Sequence, residues 1–124
     1  MADRVLLLLT ADGRYRELPA AETVSPDALA EYLHTDVTEP LGLFQPPLPH
    51  LCYYIDARGG EKALPANFCG TAFYHTGCPI YGDLLLAVSE NDTVHSLTAQ
   101  EAETVRAWLH AMFPDFLTNE TEKG

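Results

Sequence analysis

The stretch NFCGTAFYHTGCPIYG, residues 67–82, concentrates side chains whose types could carry chemistry. It holds two cysteines, one histidine, two tyrosines and one asparagine within sixteen positions. Thiol and imidazole groups serve as metal ligands, or as a nucleophile with its base. Amide, hydroxyl and aromatic groups serve instead to bind a small polar ligand. Each chemistry requires its own spacing, so the spacing must decide among them.

Zinc requires four thiolate or imidazole ligands arranged as a tetrahedron. Four side chains of the right type occur, namely Cys52, Cys69, His75 and Cys78. His75 and Cys78 could form one close pair, but Cys69 stands alone and the sequence has no C-x-x-C pair. Cys52 lies on a different predicted element. We therefore predict that the protein holds no metal and no cofactor.

Thiol catalysis requires a base within hydrogen-bond reach of the cysteine. Cys69 and His75 are six positions apart, nearly two helical turns, so they fall on different faces of a helix. Cys78 is nearer to His75, in a loop before Pro79. The sequence has no G-x-S-x-G, Walker loop, H-E-x-x-H or dinucleotide fingerprint. We predict that the protein is not an enzyme, and a cysteine/histidine enzyme is the third-ranked function.

Binding of a small polar ligand fits the spacing. If residues 66–74 form a helix, Asn67, Thr71 and Tyr74 recur on one stripe, and Cys69 falls on a second stripe that faces the core. The first turn would offer backbone amides to a phosphate, and Arg58 would supply positive charge. The alternative is that Asn67 braces the turn and the tyrosines pack. The predicted ligand-binding residues are Asn67, Thr71, Arg58, Tyr54, Tyr74 and His75.

The elements that position these residues begin with two strongly apolar strands. Val5–Leu9 is a continuous apolar run, and the turn signal Asp12-Gly13 joins it to the alternating residues 14–18 in a predicted hairpin. Leu84–Val88 is a second continuous apolar run. Successive strand side chains point to opposite faces, so both runs must be buried on both faces. Three short helices would cover one face better than the other, and we therefore predict a homo-oligomer.

Other segments carry clear start and stop signals. Ser25 before Pro26 predicts a helix that begins there and ends at about His34, and residues 51–55 predict a strand. Residues 66–74 predict the second helix. Thr98 and Glu101 form a capping box ahead of a third, amphipathic helix, which Pro114 stops. The four prolines in residues 38–49 predict an extended connection rather than a central strand.

These elements predict one α+β domain at residues 1–114, with a small mixed or antiparallel sheet of about four to five strands and three short helices. Residues 115–124 are predicted to form a flexible acidic tail. A chain of 124 residues is long enough for one hydrophobic core.

The charge balance argues against some classes of binding partner. Eighteen acidic and seven basic residues give a net charge of −11, which argues against direct binding of nucleic acid or of anionic membranes. The same charge permits an acidic protein that imitates DNA, although the acids divide between the two halves of the chain. Three cysteines do not suggest a disulfide framework, and the first residues do not form a signal peptide. We expect a cytoplasmic protein.

Residues 4 to about 88 resemble the domain of unknown function 3846, a small bacterial and phage domain. The shared pattern is an opening strand with a D-G turn, a short helix, a strand that ends in an acidic-Gly turn, L-P-x-N-x-x-A-T and an I-x-G strand. The last two correspond to residues 64–71 and to Ile80-Tyr81-Gly82, with Gly70 where the family tends to have alanine. Family members look like cargo of phages and conjugative elements, so the resemblance implies that setting.

That setting leads to two expected functions. The first is a counter-defence protein in the host cytosol that sequesters a small anionic, nucleotide-like signal or a host protein. The second is an acidic DNA mimic that inhibits a host DNA-binding protein or restriction enzyme. Both act by binding, and they differ in whether the partner is a small molecule or a protein.

Overall fold

The computed structural model describes residues 4–43, 46–74, 79–113 and 118–119. Eight strands are assigned in these ranges: β1 Val5–Leu9, β2 Arg14–Pro19, β3 Thr23–Val24, β4 Thr38–Gly42, β5 Leu51–Asp56, β6 Leu84–Glu90, β7 Thr93–His95 and β8 Thr118–Asn119. The three helices are α1 Pro26–Tyr32, α2 Phe68–Tyr74 and α3 Ala99–Met112. None of these helices is both long and apolar enough to cross a membrane.

The five longer strands form one antiparallel sheet in the order β4-β5-β6-β1-β2. The short strand β7 pairs with the end of β6, and β3 pairs with β7. The two residues of β8 pair in parallel with β2. This arrangement confirms the predicted α+β class, with the two apolar strands β1 and β6 side by side in the middle of the sheet.

Both faces of the central strands are buried, as the continuous apolar runs predicted. Leu7 and Leu9 of β1 pack in one core cluster with residues of α2 and α3. Leu6 and Leu8 pack in a second cluster on the other face, which α1 covers with Leu29. One chain therefore buries both faces of these strands, and their burial does not require a second copy. The homo-oligomer stays a prediction.

The two outer strands of the five-stranded sheet, β4 and β2, each contain a proline whose nitrogen faces away from the neighbouring strand. The amide of Ala57 donates to the carbonyl of Val37 at 3.0 Å, so these two residues form a hydrogen-bonded pair of the ladder. Hydrogen-bonded and non-hydrogen-bonded pairs alternate along antiparallel strands, and Pro40 in β4 therefore directs its backbone nitrogen away from β5. The amide of Thr10 donates to the carbonyl of Arg14 at 2.8 Å, which likewise turns Pro19 in β2 outward. Each edge therefore lacks one donor that an added strand would need.

The cap signals are confirmed. Ser25 Oγ accepts a hydrogen bond from the Ala28 amide at 3.1 Å at the start of α1. Thr98 and Glu101 form the predicted reciprocal capping box at the start of α3, with bonds of 2.9 and 3.1 Å. Local side-chain chemistry thus sets where both helices begin.

Residues 38–49, predicted as an extended connection, contain the edge strand β4, which agrees with the expectation that they avoid the centre of the sheet. Within the predicted flexible tail, residues 118–119 pair with β2, and the other residues of 115–124 lie outside the described ranges. Pro114, the predicted end of the third helix, also lies outside them.

Candidate functional site

Asn67 fastens the start of α2 to the sheet. Its side chain is 1% exposed. Its Nδ2 donates to the carbonyls of Leu9 at 3.2 Å and Gly82 at 2.9 Å, and its Oδ1 accepts from the Gly70 amide at 3.0 Å. Both donors are therefore used within the protein, and the oxygen caps the helix. This is the bracing role that the sequence offered as the alternative to ligand binding.

The other predicted ligand-binding side chains that the structure describes, those of Thr71, Arg58 and Tyr54, have separate contacts rather than a shared pocket with Asn67. Thr71 lies one turn further along α2, and its Oγ1 accepts from the Ile80 amide at 3.0 Å. Arg58 is exposed in the loop after β5, with its guanidinium 3.9 Å from the Asp36 carboxylate. Tyr54 packs in the cluster on the opposite face of the sheet, where burial raises its pKa to about 12. The side chain of Tyr74 and all of His75 lie outside the described part of the chain.

The two described cysteines lie on opposite faces of the sheet. Cys69 is buried in the cluster beneath α2, where burial raises its pKa to about 12. Cys52 packs beside Tyr54 on the other face, and burial raises its pKa as well. A raised pKa lowers the thiolate fraction that nucleophilic catalysis and zinc binding need. Among the described residues, no group of three or more His, Cys, Asp or Glu could hold a metal ion, and Cys78 lies outside them.

Three clefts that share Asp83 lie at one end of the sheet. Strands β1 and β6 are antiparallel, so the residues that follow β1 meet those that precede β6. Asp83 Oδ1 accepts from the Ala11 amide at 3.1 Å across this junction. Three clefts of about 180, 330 and 280 Å³ open there, and Asp83 lines each of them. We call the three together the Asp83 groove.

Each cleft has a different lining. The leucine cleft, of about 180 Å³, is lined by Leu33, His34, Asp56, Lys62, Leu64, Pro65, Gly82 and Asp83. The Arg16 cleft, of about 330 Å³, is lined by Leu8, Thr10, Arg16, Leu18, Glu31, Tyr32, His34 and Asp83. The Arg14 cleft, of about 280 Å³, is lined by Thr10, Ala11, Asp12, Arg14, Pro65 and Asp83. The groove thus combines apolar walls, both signs of charge, an imidazole and a phenol.

Asp56 holds the wall of the leucine cleft in place. Asp56 is only 4% exposed to solvent. Oδ1 accepts from Thr35 Oγ1 and from the Arg58 amide, both at 2.8 Å, and Oδ2 accepts from Lys62 Nζ at 2.7 Å. These bonds join the residues after α1, the end of β5 and the following loop. We call this set of contacts the Asp56 clasp.

The Asp56 clasp makes stability depend on pH. Burial raises the pKa of Asp56, but the hydrogen bonds from Lys62, the Arg58 amide and Thr35 outweigh it and hold the pKa below the ordinary 3.8. A carboxyl whose pKa is lower in the folded state stabilises the protein above the unfolded-state pKa. That stabilisation is lost as the pH falls from about 4 through the folded-state value.

Asp56→Asn should therefore lower the free energy of unfolding at pH 7 by about 2 kcal/mol, since the amide group cannot accept from both of its atoms. The difference between wild type and variant should shrink as the pH falls below about 4. Urea denaturation at several pH values measures both effects. Asp36→Asn is the matched control, because that exposed carboxylate should change stability by less than about 0.5 kcal/mol. A constant difference between wild type and Asp56→Asn across this pH range would contradict the prediction.

A fourth cleft, of about 190 Å³, lies on the other side of Asp56, between Glu39, Gly59-Gly60 and Tyr81. Its described lining includes two carboxylates, those of Glu39 and Asp56, and no lysine or arginine. It is therefore less suited to an anion than the Asp83 groove.

Sequence reasoning missed Arg16, His34 and Asp83. The signal available in the sequence was the position of Asp83, directly before a buried strand, and the turn that follows β1. These two points meet only once β1 and β6 are known to be antiparallel neighbours.

Comparison of the chain with family models, with curated proteins and with solved structures gave no match. The resemblance to the domain of unknown function 3846 stays a prediction. The groove is therefore interpreted from its own residues and their contacts.

Proposed function

We propose that the protein is a non-enzymatic binding protein that sequesters a small anionic ligand of nucleotide-like chemistry in the Asp83 groove. One observation carries the proposal. In a chain with a net charge of −11, three of the six lysines and arginines in the described ranges line clefts that meet at one residue. The three are Arg14, Arg16 and Lys62. The same clefts are also lined by the carboxylates of Asp12, Glu31, Asp56 and Asp83, so an anion there would be bound by hydrogen bonds from individual cations rather than by a net positive field.

The three cations of the groove differ in their surroundings. Lys62 Nζ lies 2.7 Å from the Asp56 carboxylate, and Arg14 Nε lies 3.8 Å from that of Asp12. Arg16 is exposed and lines the largest of the three clefts, beside His34. A phosphate or carboxylate of the ligand would accept hydrogen bonds from the Arg16 guanidinium in a forked geometry.

The biological setting of the proposal comes from the sequence resemblance. A phage or mobile-element protein of this kind would act in the host cytosol and remove a signal that host defence depends on. Sequestration requires tight binding and no chemical step. A homo-oligomer, the assembly that we expect, would present several such grooves.

The alternative function is an acidic DNA mimic that inhibits a host DNA-binding protein or restriction enzyme. It is favoured by exposed carboxylates at the opposite end of the sheet, where Glu22 and Glu90 line a cleft with Glu101. A DNA mimic needs its carboxylates along one face. Here they occur at both ends of the sheet, with Glu31 and Asp12 at the groove end.

Calorimetric titration of the full chain with a panel of cyclic and linear nucleotides tests the proposal. We expect at least one nucleotide to bind, and Arg16→Gln to weaken its binding by about tenfold or more. Arg58→Gln is the comparison variant, because Arg58 is an exposed arginine of the site that the sequence predicted. Loss of binding in Arg58→Gln but not in Arg16→Gln would move the site away from the groove. Absence of nucleotide binding, together with inhibition of a restriction enzyme, would favour the DNA mimic.

A further inference from the structure

The outer edge of β4 is open in the part of the chain that the structure describes. β4 pairs with β5 on one side, and no other described strand pairs with it. The alternation that turns the nitrogen of Pro40 outward also turns the backbone groups of Thr38 and Gly42 outward. The edge therefore presents the amides of Thr38 and Gly42 and the carbonyls of all three residues. An added strand would lack only the donor at Pro40.

The edge of β2, at the other side of the five-stranded sheet, is less open. Residues 14–15 already pair with β8, and Pro19 lacks a donor. Three charged residues, Arg14, Arg16 and Glu17, also lie in β2. Charged side chains along an edge disfavour the addition of a strand, and β4 has only one, Glu39. Of the two edges, β4 is therefore the better place for an added strand.

A cleft beside β4 gives this edge a chemical preference. The cleft, of about 190 Å³, is lined by Glu39 and Leu41 of β4 and by Ile55 of β5. Asp56 also lines it, but the Asp56 carboxylate is already bonded within the clasp. Glu39 is exposed and has no ion pair with a described residue. A cationic side chain beside Glu39 would supply that partner.

We propose that the outer edge of β4 binds an extended segment of another protein as an added antiparallel strand, with a lysine or arginine side chain beside Glu39. Main-chain hydrogen bonds supply affinity in this mode of binding, and the side chains along the edge supply selectivity. Antiparallel pairing is slightly more stable per residue than parallel pairing. The net charge of −11 favours a basic segment over an acidic one. The inference does not depend on a ligand in the Asp83 groove.

The probe is a fluorescent peptide of about nine residues in which lysine and valine alternate, titrated with the full chain and followed by anisotropy. We expect it to bind about tenfold more tightly than the same peptide with glutamate in place of lysine. Glu39→Lys should weaken binding of the lysine peptide by about tenfold, because an attraction becomes a repulsion. Glu103→Lys is the matched control, since it changes the net charge equally at an exposed position on α3. It should change binding by less than about twofold.

Peptides methylated on alternate backbone nitrogens test the strand pairing itself. Directly opposed residues of an antiparallel pair share a face of the sheet. If the lysines lie on the face of Glu39, the valines lie opposite Thr38 and Gly42 and form the hydrogen-bonded pairs. Methylation of the valine amides should therefore weaken binding by about tenfold or more. Methylation of the lysine amides, which point to solvent, should not.

Each outcome supports or overturns the inference. Binding that depends on Glu39 and on the valine amides supports it. Equal binding of the two methylated peptides would exclude strand addition, and loss of binding on methylation of the lysine amides would indicate a parallel strand. Binding of the glutamate peptide as tight as that of the lysine peptide would refute a basic partner, and absence of binding would refute the site. If light scattering showed that the peptide binds only as a homo-oligomer dissociates, the edge would belong to a second copy of the chain. Each of these last five results overturns the inference.

Discussion

Asn67→Leu is expected to lower the free energy of unfolding by about 4 kcal/mol. Leucine has the same number and branching of side-chain heavy atoms as asparagine, but it is bulkier and its side chain makes no hydrogen bonds. The carbonyls of Leu9 and Gly82 and the amide of Gly70 would then lose their bonds to this side chain. Water cannot easily replace these bonds, because residue 67 is 1% exposed. Urea denaturation of wild type and variant measures the difference.

Thr71→Val is the graded control for this prediction. It is nearly isosteric and removes one acceptor, the Oγ1 that receives the Ile80 amide. Its expected cost is about 1–2 kcal/mol, well below that of Asn67→Leu. If Asn67→Leu instead folded with wild-type stability and lost nucleotide binding, Asn67 would be the ligand residue that the sequence suggested, and the bracing role would be wrong.

The parts of the fold that the sequence predicted are those set by neighbouring residues. Ser25 and Thr98 cap their helices through bonds that span three residues, so the signal is complete within a short window. The central placement of β1 followed from its continuous apolar run, since such a run excludes a solvent-facing side. The prolines of residues 38–49 predicted an extended connection outside the centre of the sheet, because a proline lacks the donor that a central strand requires, and the structure places the edge strand β4 there.

The candidate site depends on contacts between distant residues, which local patterns do not contain. Asn67 and Thr71 lie one helical turn apart, but their side chains make contacts within the protein. Asn67 binds the carbonyl of Leu9 in the sheet, and Thr71 accepts from the Ile80 amide. The Asp83 groove forms where the ends of β1, β6 and α1 meet. Asp83 and the Ala11 amide are 72 positions apart in the chain.

The prediction of a homo-oligomer shows a related limit. The apolar runs required cover on both faces, and the sequence did not say which helix would supply it. The structure places α1 on one face, with Leu29 in the core, and α2 and α3 on the other. A requirement for burial can therefore be inferred from one strand, but the source of that burial depends on the whole topology.

Gly70 leads to the second large effect, because α2 passes very close to the sheet at this residue. A β-carbon added there would lie 2.9 Å from Ile80 Cγ2 and 3.0 Å from Leu84 Cδ2. Ile80 Cβ itself would lie 3.1 Å from the added β-carbon, so rotation of the Ile80 side chain would not relieve the contact, and Leu84 is fully buried in β6. Gly70→Val should therefore lower the free energy of unfolding by about 3 kcal/mol through overpacking. These contacts explain why position 70 is a glycine.

Two further variants separate overpacking from helix propensity. Gly70→Ala gains about 1 kcal/mol in propensity but still meets Ile80, so we expect a net cost of about 1 kcal/mol. Ala72→Val places the same branched side chain on the exposed side of α2 and should cost only about 0.5 kcal/mol. Denaturation midpoints in urea rank the three variants. Equal costs for Gly70→Val and Ala72→Val would show that α2 does not press against Ile80, and the position of the helix over the sheet would have to be revised.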